Sequence, residues 1–440
     1  MSLPRPPLKV TAPPFAAPTF AAPPMVAAAA AQWKVDAATL KAENGRVTGP
    51  GGKSASYGQL AEAASKLPVP EKPAMKDPSQ FRIVGKPTTR LDTPAKVNGT
   101  ARFGIDVKLP GMVYASIAMS PVQGGTVKSF DAAKAKAAPG VVDVVQIPDG
   151  VAVVADTWWH ARSALDALAI EWDEGPNAKL GSADVAAMLK AGLDAPEAYV
   201  GNSQGDAKGA LAGAAKVVES VYSYPYQNHA PMEVMNATAK FTLSAAGAPE
   251  RCEVWTPTQN GEAALAATAE AAGLPPSQCD VYKLLLGGGF GRRGSTDWVR
   301  QAVLIAKALP GTPVKLLWTR EEDMQHGFYH PITQCRLRAG LDAQGKLTAL
   351  HMRISGQSIL AGILPQALQN GKDPITFQGL NPGGAEGAFG YAVPHLLIDH
   401  AMRNPPVRPG FWRGVNLNHN AIYLECFLDE VAHATRQDPL

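Results

Sequence analysis

Three short stretches of the 440-residue sequence combine residue types that could carry chemistry. The first, LLLGGGFGRR at 284–293, ends an apolar run in glycines and two arginines, ahead of a helix predicted from about Asp297. Glycines let backbone N–H groups approach a ligand closely, and a helix start favours an anion. Such junctions also occur without ligands, and neither the G-x-G-x-x-G spacing nor the Lys-Ser/Thr ending of a P-loop is present. The stretch alone predicts an anion site of unspecified ligand.

The second stretch, YSYPYQNHAPMEVMNATA at 222–239, holds an amide, an imidazole and a carboxylate within seven positions: Gln227, His229 and Glu233. On an extended strand the three side chains share one face. From the spacing alone, an ordinary strand edge with hydrogen-bonding polar residues is the favoured interpretation. A zinc site needs a third ligand, and the sequence offers none nearby.

The third stretch, RPGFWRGVNLNHNAIYLECFLDEVAH, places Arg413 in a glycine-flanked turn before a helix predicted from about Asn420. From the residues alone, a lone arginine in such a turn could as well be a salt-bridged surface residue.

The elements around these stretches predict an α+β, multi-domain protein. Residues 1–24 are rich in proline and alanine, which predicts an extended, poorly ordered arm with few contacts. Residues 25–80 predict a helix, a strand with an Asn-Gly turn, a Ser-capped helix and a proline-rich linker. A compact α+β unit is predicted at 82–175, and a larger mixed domain of many strands at 195–440.

Composition excludes several classes of function. A net charge of +3, from 41 basic and 38 acidic residues, gives no basic stripe for nucleic acid. No apolar run is long enough to span a bilayer, and no export signal is visible. The cysteines lie far apart, without the spacing of zinc or iron–sulfur ligands: Cys252, Cys279, Cys335 and Cys426.

Together the motifs resemble one family. KPTTRLDTPAKVNGTARFGIDVKLPGMVYASIAMSP is similar to the opening of an a/b hammerhead domain, and VWTPTQN, GGGFGRR, APMEVMNATA and FWRGV match further motifs of that family. The sequence resembles the molybdopterin-binding subunits of the xanthine dehydrogenase/aldehyde oxidase-type molybdenum hydroxylases, especially the isoquinoline 1-oxidoreductase beta-subunit and nicotinate dehydrogenase-like branch. The implied architecture is a hammerhead-like domain plus part of a molybdenum-cofactor-binding domain.

The resemblance also implies roles for residues. It assigns cofactor binding to Gln227, Gly288, Gly289, Phe290, Gly291 and Arg292. Gln227 matches the glutamine that hydrogen-bonds the molybdenum oxo group, and Phe290 with Gly291 matches the loop against the cofactor. Arg413 matches an arginine near molybdenum and substrate. The family binds the metal through the pterin, with no protein side chain as ligand.

The implied activity is hydroxylation of aldehydes or N-heteroaromatic compounds with water as the oxygen source. The implied cofactor is molybdopterin cytosine dinucleotide. Electrons leave through a separate [2Fe–2S] small subunit, with a cytochrome c as a further acceptor, because this sequence has no cluster cysteines. Relatives are often periplasmic, so the cellular location stays open.

The sequence also departs from the pattern. It ends at HATRQDPL, before the later pterin-binding stretches and the glutamate that acts as base, and its beginning lacks the family's early glycine-rich loops. Val234 and Gly294 replace residues that relatives often have as proline and a bulkier apolar residue. Glu233 and Glu425 are the carboxylates near the motifs, and neither is expected to replace the base. We therefore expect the isolated chain to lack activity.

Two alternatives remain open at this point. One is a fragment that folds but retains no cofactor and does not turn over. The other is a pyrroloquinoline-quinone-type dehydrogenase, which is disfavoured because such enzymes are propellers and no blade-length repeat is present. Elemental analysis for molybdenum separates the first alternative from the enzyme.

Overall fold

The computed structural model describes residues 9–10, 22–68, 71, 77–81, 83–385 and 387–439. In this part of the chain the strands, in order, are β1 Lys9–Val10, β2 Lys41–Glu43, β3 Arg46–Thr48, β4 Ser54–Ser56, β5 Val113–Met119, β6 Thr126–Phe130, β7 Val141–Ile147, β8 Gly150–Ala155, β9 Ile170–Asp173, β10 Tyr199–Gln204, β11 Lys216–Tyr224, β12 Asn236–Leu243, β13 Pro249–Thr256, β14 Cys279–Lys283, β15 Val314–Leu317, β16 Thr333–Leu341, β17 Leu347–Gly356 and β18 His395–Met402.

The helices of the same residues are α1 Ala22–Trp33, α2 Tyr57–Ser65, α3 Thr93–Val97, α4 Ala133–Lys136, α5 Trp158–Asp166, α6 Ser182–Leu193, α7 Ala207–Ala212, α8 Gly261–Ala272, α9 Asp297–Lys307, α10 Arg320–Gln325, α11 Ile359–Ile363 and α12 Leu417–Thr435. None of these described helices is long and apolar enough to cross a membrane.

Residues 13–101 form a small compact unit of their own. Strands β2, β3 and β4 make a three-stranded sheet, and Asn44 and Gly45 join β2 to β3 with positive φ values of 52° and 74°. Both residues tolerate that conformation, which two-residue hairpins require. Ser56 and Gln59 form a capping box at the start of α2, as the sequence predicts. The buried core of this unit consists of Ala28, Ala29, Val47, Leu60 and Ala64.

The predicted arm at 1–24 differs from expectation where it is described. Helix α1 begins at Ala22 rather than Met25, because Pro23 and Pro24 are compatible with a first helical turn that needs no N–H bonds. Strand β1 pairs with β14, in the register Val10 to Val281. These two residues therefore contribute to a sheet, while the expectation that the arm as a whole makes few contacts stays a prediction. The rest of the predicted arm lies outside the described residues.

The second unit comprises residues 1–12 and 102–440, and its larger sheet has the strand order β1-β14-β13-β12-β15-β5-β8-β7. Strands β5, β7 and β8 come from residues 82–175, the predicted hammerhead-like domain, and β12 to β15 come from the predicted domain at 195–440. The two predicted domains therefore share one sheet. Helices α8 and α9 pack against it. Trp298 of α9 and the neighbouring Trp318 are almost fully buried in this core. Their rings therefore pack inside the protein and are not accessible to a ligand.

A second sheet has the order β10-β18-β17-β16-β11. Strands β16 and β17 form a hairpin, in which the N–H of Gly345 donates to the carbonyl of Asp342. Helix α12 packs on β11 and β16 through Tyr423, Leu424 and Phe427. It begins at Leu417, three residues before the predicted start.

The three stretches that contain the candidate site residues lie in links between the strands and helices of this unit. Residues 225–235 link β11 of the second sheet to β12 of the larger sheet, 284–296 link β14 to α9, and 403–416 link β18 to α12. The first of these is not the strand assumed for Gln227, His229 and Glu233. It leaves β11 at Pro225, and Ala230 has a φ of +41°, so an extended backbone stops there.

Candidate cofactor site

The loop 287–291 has a backbone conformation suited to binding an anion. Gly288 and Gly291 have φ values of +97° and +106°, and Phe290 has +56°, an unfavourable value for an aromatic residue. In the described structure the backbone N–H groups of Gly288, Gly289 and Phe290 have no protein acceptor. Three consecutive N–H donors in a loop of this kind form a concave site for an anion.

Protein contacts fix the remainder of the loop. The Gln259 side-chain oxygen accepts from the N–H groups of Gly291 and Arg293, at 3.1 and 3.2 Å. A Cβ on Gly291 would overlap the carbonyl oxygen of Phe411. Gly289 also lies against Gln259. The glycines are therefore required by packing against the protein as well as by any ligand. Gln259 belongs to the VWTPTQN motif, which is one of the motifs that match the family. The sequence did not predict that Gln259 supports the glycine loop.

Arg292, predicted to bind cofactor, lies fully inside the protein. Its guanidinium donates to both carboxylate oxygens of Asp297, at 2.9 and 2.7 Å, and lies within 5.6 Å of the ring centroids of Trp298, Trp318 and Phe328. A buried arginine with a bidentate partner is an anchor. Its side chain thus supports the loop from behind, and its contribution to cofactor binding would pass through the loop backbone.

Arg293 and Glu233 form a second buried clamp beneath the loop. Arg293 Nη2 lies 3.2 Å from Glu233 Oε2, and the same carboxylate accepts from the N–H groups of Gly287 and Ile105, at 2.7 and 2.8 Å. Burial lowers the pKa of Arg293 to about 10, with Glu233 acting against that shift, so the arginine stays charged at neutral pH. Glu233 is consumed by these contacts and is not free to act as a base.

The stretch around Gln227 meets the stretch around Arg413. The carbonyl of Gln227 accepts from the N–H of His330 at 2.9 Å, and Trp412 Nε1 donates to the carbonyl of Asn228 at 3.2 Å. His229 Nε2 lies 2.9 Å from the carbonyl oxygen of Phe411. These contacts join residues 227–229 to 411–412.

His229 is held neutral in this junction. Burial lowers its pKa to about 4, although its bond to Phe411 acts in the opposite direction. Because the carbonyl oxygen of Phe411 needs a donor, Nε2 carries the proton and Nδ1 is left as an acceptor, buried without a partner. This role was not visible in the sequence, where the spacing suggested a shared strand face.

Arg413 completes the convergence of the three stretches. Its N–H donates to the carbonyl of Phe290 at 2.9 Å, and its guanidinium carbon lies 5.7 Å from the Phe290 ring centroid. Phe290 is 44% exposed, so this pair lies at the surface of the described part of the protein. The glycine loop and Arg413 are thus in direct contact, and Gln227 is connected to them through its neighbours Asn228 and His229. Gln227 and Arg413 are 186 positions apart in the sequence.

Glu425, the other carboxylate near the matched motifs, lies on the exposed side of α12. It accepts from the hydroxyl of Tyr391 at 2.7 Å. Among the described residues, no group of three or more His, Cys, Asp or Glu side chains is arranged to hold a metal ion. What the site offers is a set of backbone and amide donors with one nearby cation.

The fold and this site define a mixed α+β protein with a glycine loop between β14 and α9, whose N–H groups at 288–290 have no acceptor among the described residues. A family model described as the molybdopterin cofactor-binding domain matches residues 193–440. The chain belongs to this family of the molybdenum hydroxylases. That range contains all three stretches of the candidate site.

The chain is similar to proteins that are named as dehydrogenases and oxidoreductases. The chain is 32% identical to a membrane-bound aldehyde dehydrogenase [pyrroloquinoline-quinone] of Gluconacetobacter polyoxogenes, over 89% of this chain and 52% of that protein. It is 29% identical to isoquinoline 1-oxidoreductase subunit beta of Brevundimonas diminuta, over 83% of this chain and 47% of the relative. The chain thus spans about half the length of these curated relatives.

Solved structures show the same fold. Quinoline 2-oxidoreductase from Pseudomonas putida 86 matches 81% of this chain and 49% of its own, with a TM-score of 0.62 and 20% identity. The aldehyde oxidoreductase from Desulfovibrio gigas matches 80% of this chain and 42% of its own, with a TM-score of 0.61. At this level of identity the likeness concerns the fold alone.

Proposed function

We propose that this chain provides the cofactor-binding part of a molybdenum hydroxylase subunit that oxidises aldehydes or N-heteroaromatic compounds, with water as the source of oxygen. The observation that supports it most is the contact of the glycine loop, whose N–H groups at 288–290 have no acceptor among the described residues, with Arg413. The segment that carries Gln227 is joined to them through His229 and Phe411. We further propose molybdopterin cytosine dinucleotide as the cofactor, with a [2Fe–2S] subunit and a cytochrome c as electron-transfer partners.

The residues fit a cofactor that carries negative charge and oxygen acceptors. When bound, the molybdenum cofactor supplies the redox chemistry and the activation of water. Gly288, Gly289 and Phe290 would donate their N–H groups to acceptors of the cofactor, and Gln227 would donate from its side-chain amide. These donors are fixed before any ligand binds, so little reorganisation is needed.

Arg413 would act on the substrate. Its guanidinium lies along the ring of Phe290, and this aromatic face suits the planar ring of an N-heterocycle or aromatic aldehyde. The cation would stabilise negative charge that develops on the substrate oxygen or nitrogen. Neither Glu233 nor Glu425 is placed for proton transfer at this surface. Glu233 is buried in an ion pair with Arg293, and Glu425 accepts a hydrogen bond from Tyr391.

Metal analysis of the protein, expressed with molybdate, tests the proposal. We expect stoichiometric molybdenum and release of a cytosine nucleotide on acid hydrolysis. Protein that folds and contains no molybdenum would support a fragment without cofactor, whereas extraction of a quinone would favour the activity in the name of the G. polyoxogenes relative. Turnover of aldehydes and N-heterocycles is then measured with an artificial acceptor, with and without co-expressed partner subunits.

A further inference from the structure

We infer that Tyr224 is a positioning residue, which fixes the side-chain amide of Gln227 with its NH2 group directed away from the Tyr224 hydroxyl and available to donate to the cofactor. This inference rests on the proposed function for the identity of the acceptor. The orientation itself follows from contacts within the chain. Tyr224 closes strand β11 and is 8% exposed, and its hydroxyl lies 3.1 Å from Gln227 Oε1.

The single proton of the phenol decides which way the amide faces. Among the described residues, Gln227 is the hydrogen-bond partner of the Tyr224 hydroxyl, and no other acceptor takes its proton. If the amide were rotated, its NH2 would donate to the phenol oxygen and the phenol proton would be left buried without an acceptor. An unsatisfied buried donor is unfavourable. The carbonyl oxygen of Gln227 therefore faces Tyr224.

Neither partner can move easily to relax this arrangement. The backbone of Gln227 is paired to His330, and the ring of Tyr224 lies 4.8 Å from the ring of His330 and 5.7 Å from that of His419, measured between centroids. Burial raises the pKa of Tyr224, with the Gln227 contact acting in the opposite direction. The phenol accordingly keeps its proton throughout the neutral range.

The consequence is a donor of fixed direction in the 225–235 segment, other residues of which pack against the glycine loop. Gln227 Nε2 carries two hydrogens, and no described residue accepts from it. An oxo group can only accept hydrogen bonds, so it is recognised by an amide that presents NH2 and not by one that presents its carbonyl oxygen. Without Tyr224 both amide orientations would be populated, and part of the protein would present the wrong group.

The test compares Tyr224→Phe with Tyr222→Phe in the molybdenum-loaded enzyme, with its partner subunits. Tyr222 lies two positions earlier on the same strand, and its hydroxyl donates to Glu430, away from Gln227. We expect both variants to retain molybdenum. Only Tyr224→Phe should raise the Mo=O stretching frequency, because the hydrogen bond to the oxo group is partly lost.

Two further variants separate positioning from stability. Tyr224→Phe should have no additional effect in a Gln227→Ala background, because the group it orients is then absent. Gln227→Glu should raise the same Mo=O frequency, because a carboxylate accepts from Tyr224 and cannot donate. If Tyr224→Phe is unstable, Gln227→Glu tests whether the Gln227 amide donates to the oxo group.

The inference is overturned if molybdenum is bound and the Mo=O frequency in Tyr224→Phe and Gln227→Glu equals that in Tyr222→Phe. It is also overturned if Tyr224→Phe raises the Mo=O frequency equally with and without the Gln227 side chain. Wild-type protein that binds no molybdenum would instead refute the proposed function, and the inference with it. The metal content of the wild type therefore distinguishes the two failures.

Discussion

At the scale of single residues, the glycines of the loop serve two requirements. Gly291 has a φ of +106° and no room for a side chain, because Phe411 approaches it with its carbonyl oxygen. Gly294, three positions later, has an open environment in which a Cβ would contact nothing. The same residue type is thus essential at one position and replaceable at another. The sequence pattern alone does not separate these cases.

We expect Gly291→Ala to lower the free energy of unfolding by about 1–3 kcal/mol, because it adds strain at positive φ and a clash with the chain at Phe411. Molybdenum content should fall with it, as the N–H groups of 288–290 lose their arrangement. Gly294→Ala is the matched control and should change stability by less than about 0.5 kcal/mol. Urea denaturation and metal analysis measure both effects. Equal behaviour of the two variants would contradict this account of the loop.

At the scale of elements, the Glu233–Arg293 pair fastens two connections to each other. Glu233 lies in the link between β11 and β12, and Arg293 lies in the link between β14 and α9. The side chains are 5% and 0% exposed. At this burial both charged groups have lost their contact with water. Removing either partner would therefore leave the other charge buried without its opposite charge. The clamp holds the glycine loop against the segment that carries Gln227.

Glu233→Gln should therefore lower the free energy of unfolding by about 3–5 kcal/mol, the usual cost of breaking a buried ion pair. Glu425→Gln removes an exposed carboxylate that bonds to Tyr391 and should cost less than about 0.5 kcal/mol. Denaturation curves in urea compare the two. If Glu233→Gln were as stable as the wild type and yet inactive, Glu233 would have a chemical role that its contacts do not suggest.

The elements themselves were largely predictable, and their arrangement was not. Local signals, such as the Asn44-Gly45 turn and the Ser56 cap, identify the hairpin and helix α2. Pairing between distant strands has no such local signal: β10 pairs with β18, about 200 positions away. The contact of Arg293 with Glu233 likewise joins residues 60 positions apart, and no local pattern predicts it. Only the family resemblance indicated that the three stretches meet.

At the scale of the whole molecule, the unit that carries the site buries several neutral histidines. Burial lowers the pKa of His229, His330, His400 and His419. His419 is the extreme case, with both ring nitrogens buried and without a partner among described residues. The rings of Tyr224, His330 and Tyr423 surround it. His326 differs, because Glu322 raises its pKa although burial opposes this.

The sign of the pH dependence follows from these shifts. A histidine whose pKa is lower in the folded protein than in the unfolded chain takes up protons on unfolding once the pH falls below about 6.5. Stability is thus unaffected above that pH and is lost as the pH falls towards the folded-state pKa, which is about 4 for His229. Each such histidine contributes at most about 1.4 kcal/mol per pH unit. Four groups act in this direction, and His326 acts against them.

We expect the free energy of unfolding to fall steeply between pH 6.5 and pH 5, and His419→Phe to make this fall less steep. Phenylalanine keeps an aromatic ring among Tyr224, His330 and Tyr423 and removes the titrating group. Its larger volume shifts stability by a similar amount at every pH, so the slope is the quantity to compare. His433→Phe, at an exposed position of the same helix, is the control and should leave the slope unchanged. Urea denaturation at a series of pH values gives the slopes. A slope for His419→Phe equal to that of the wild type would mean that His419 is already protonated in the folded protein or solvated by buried water.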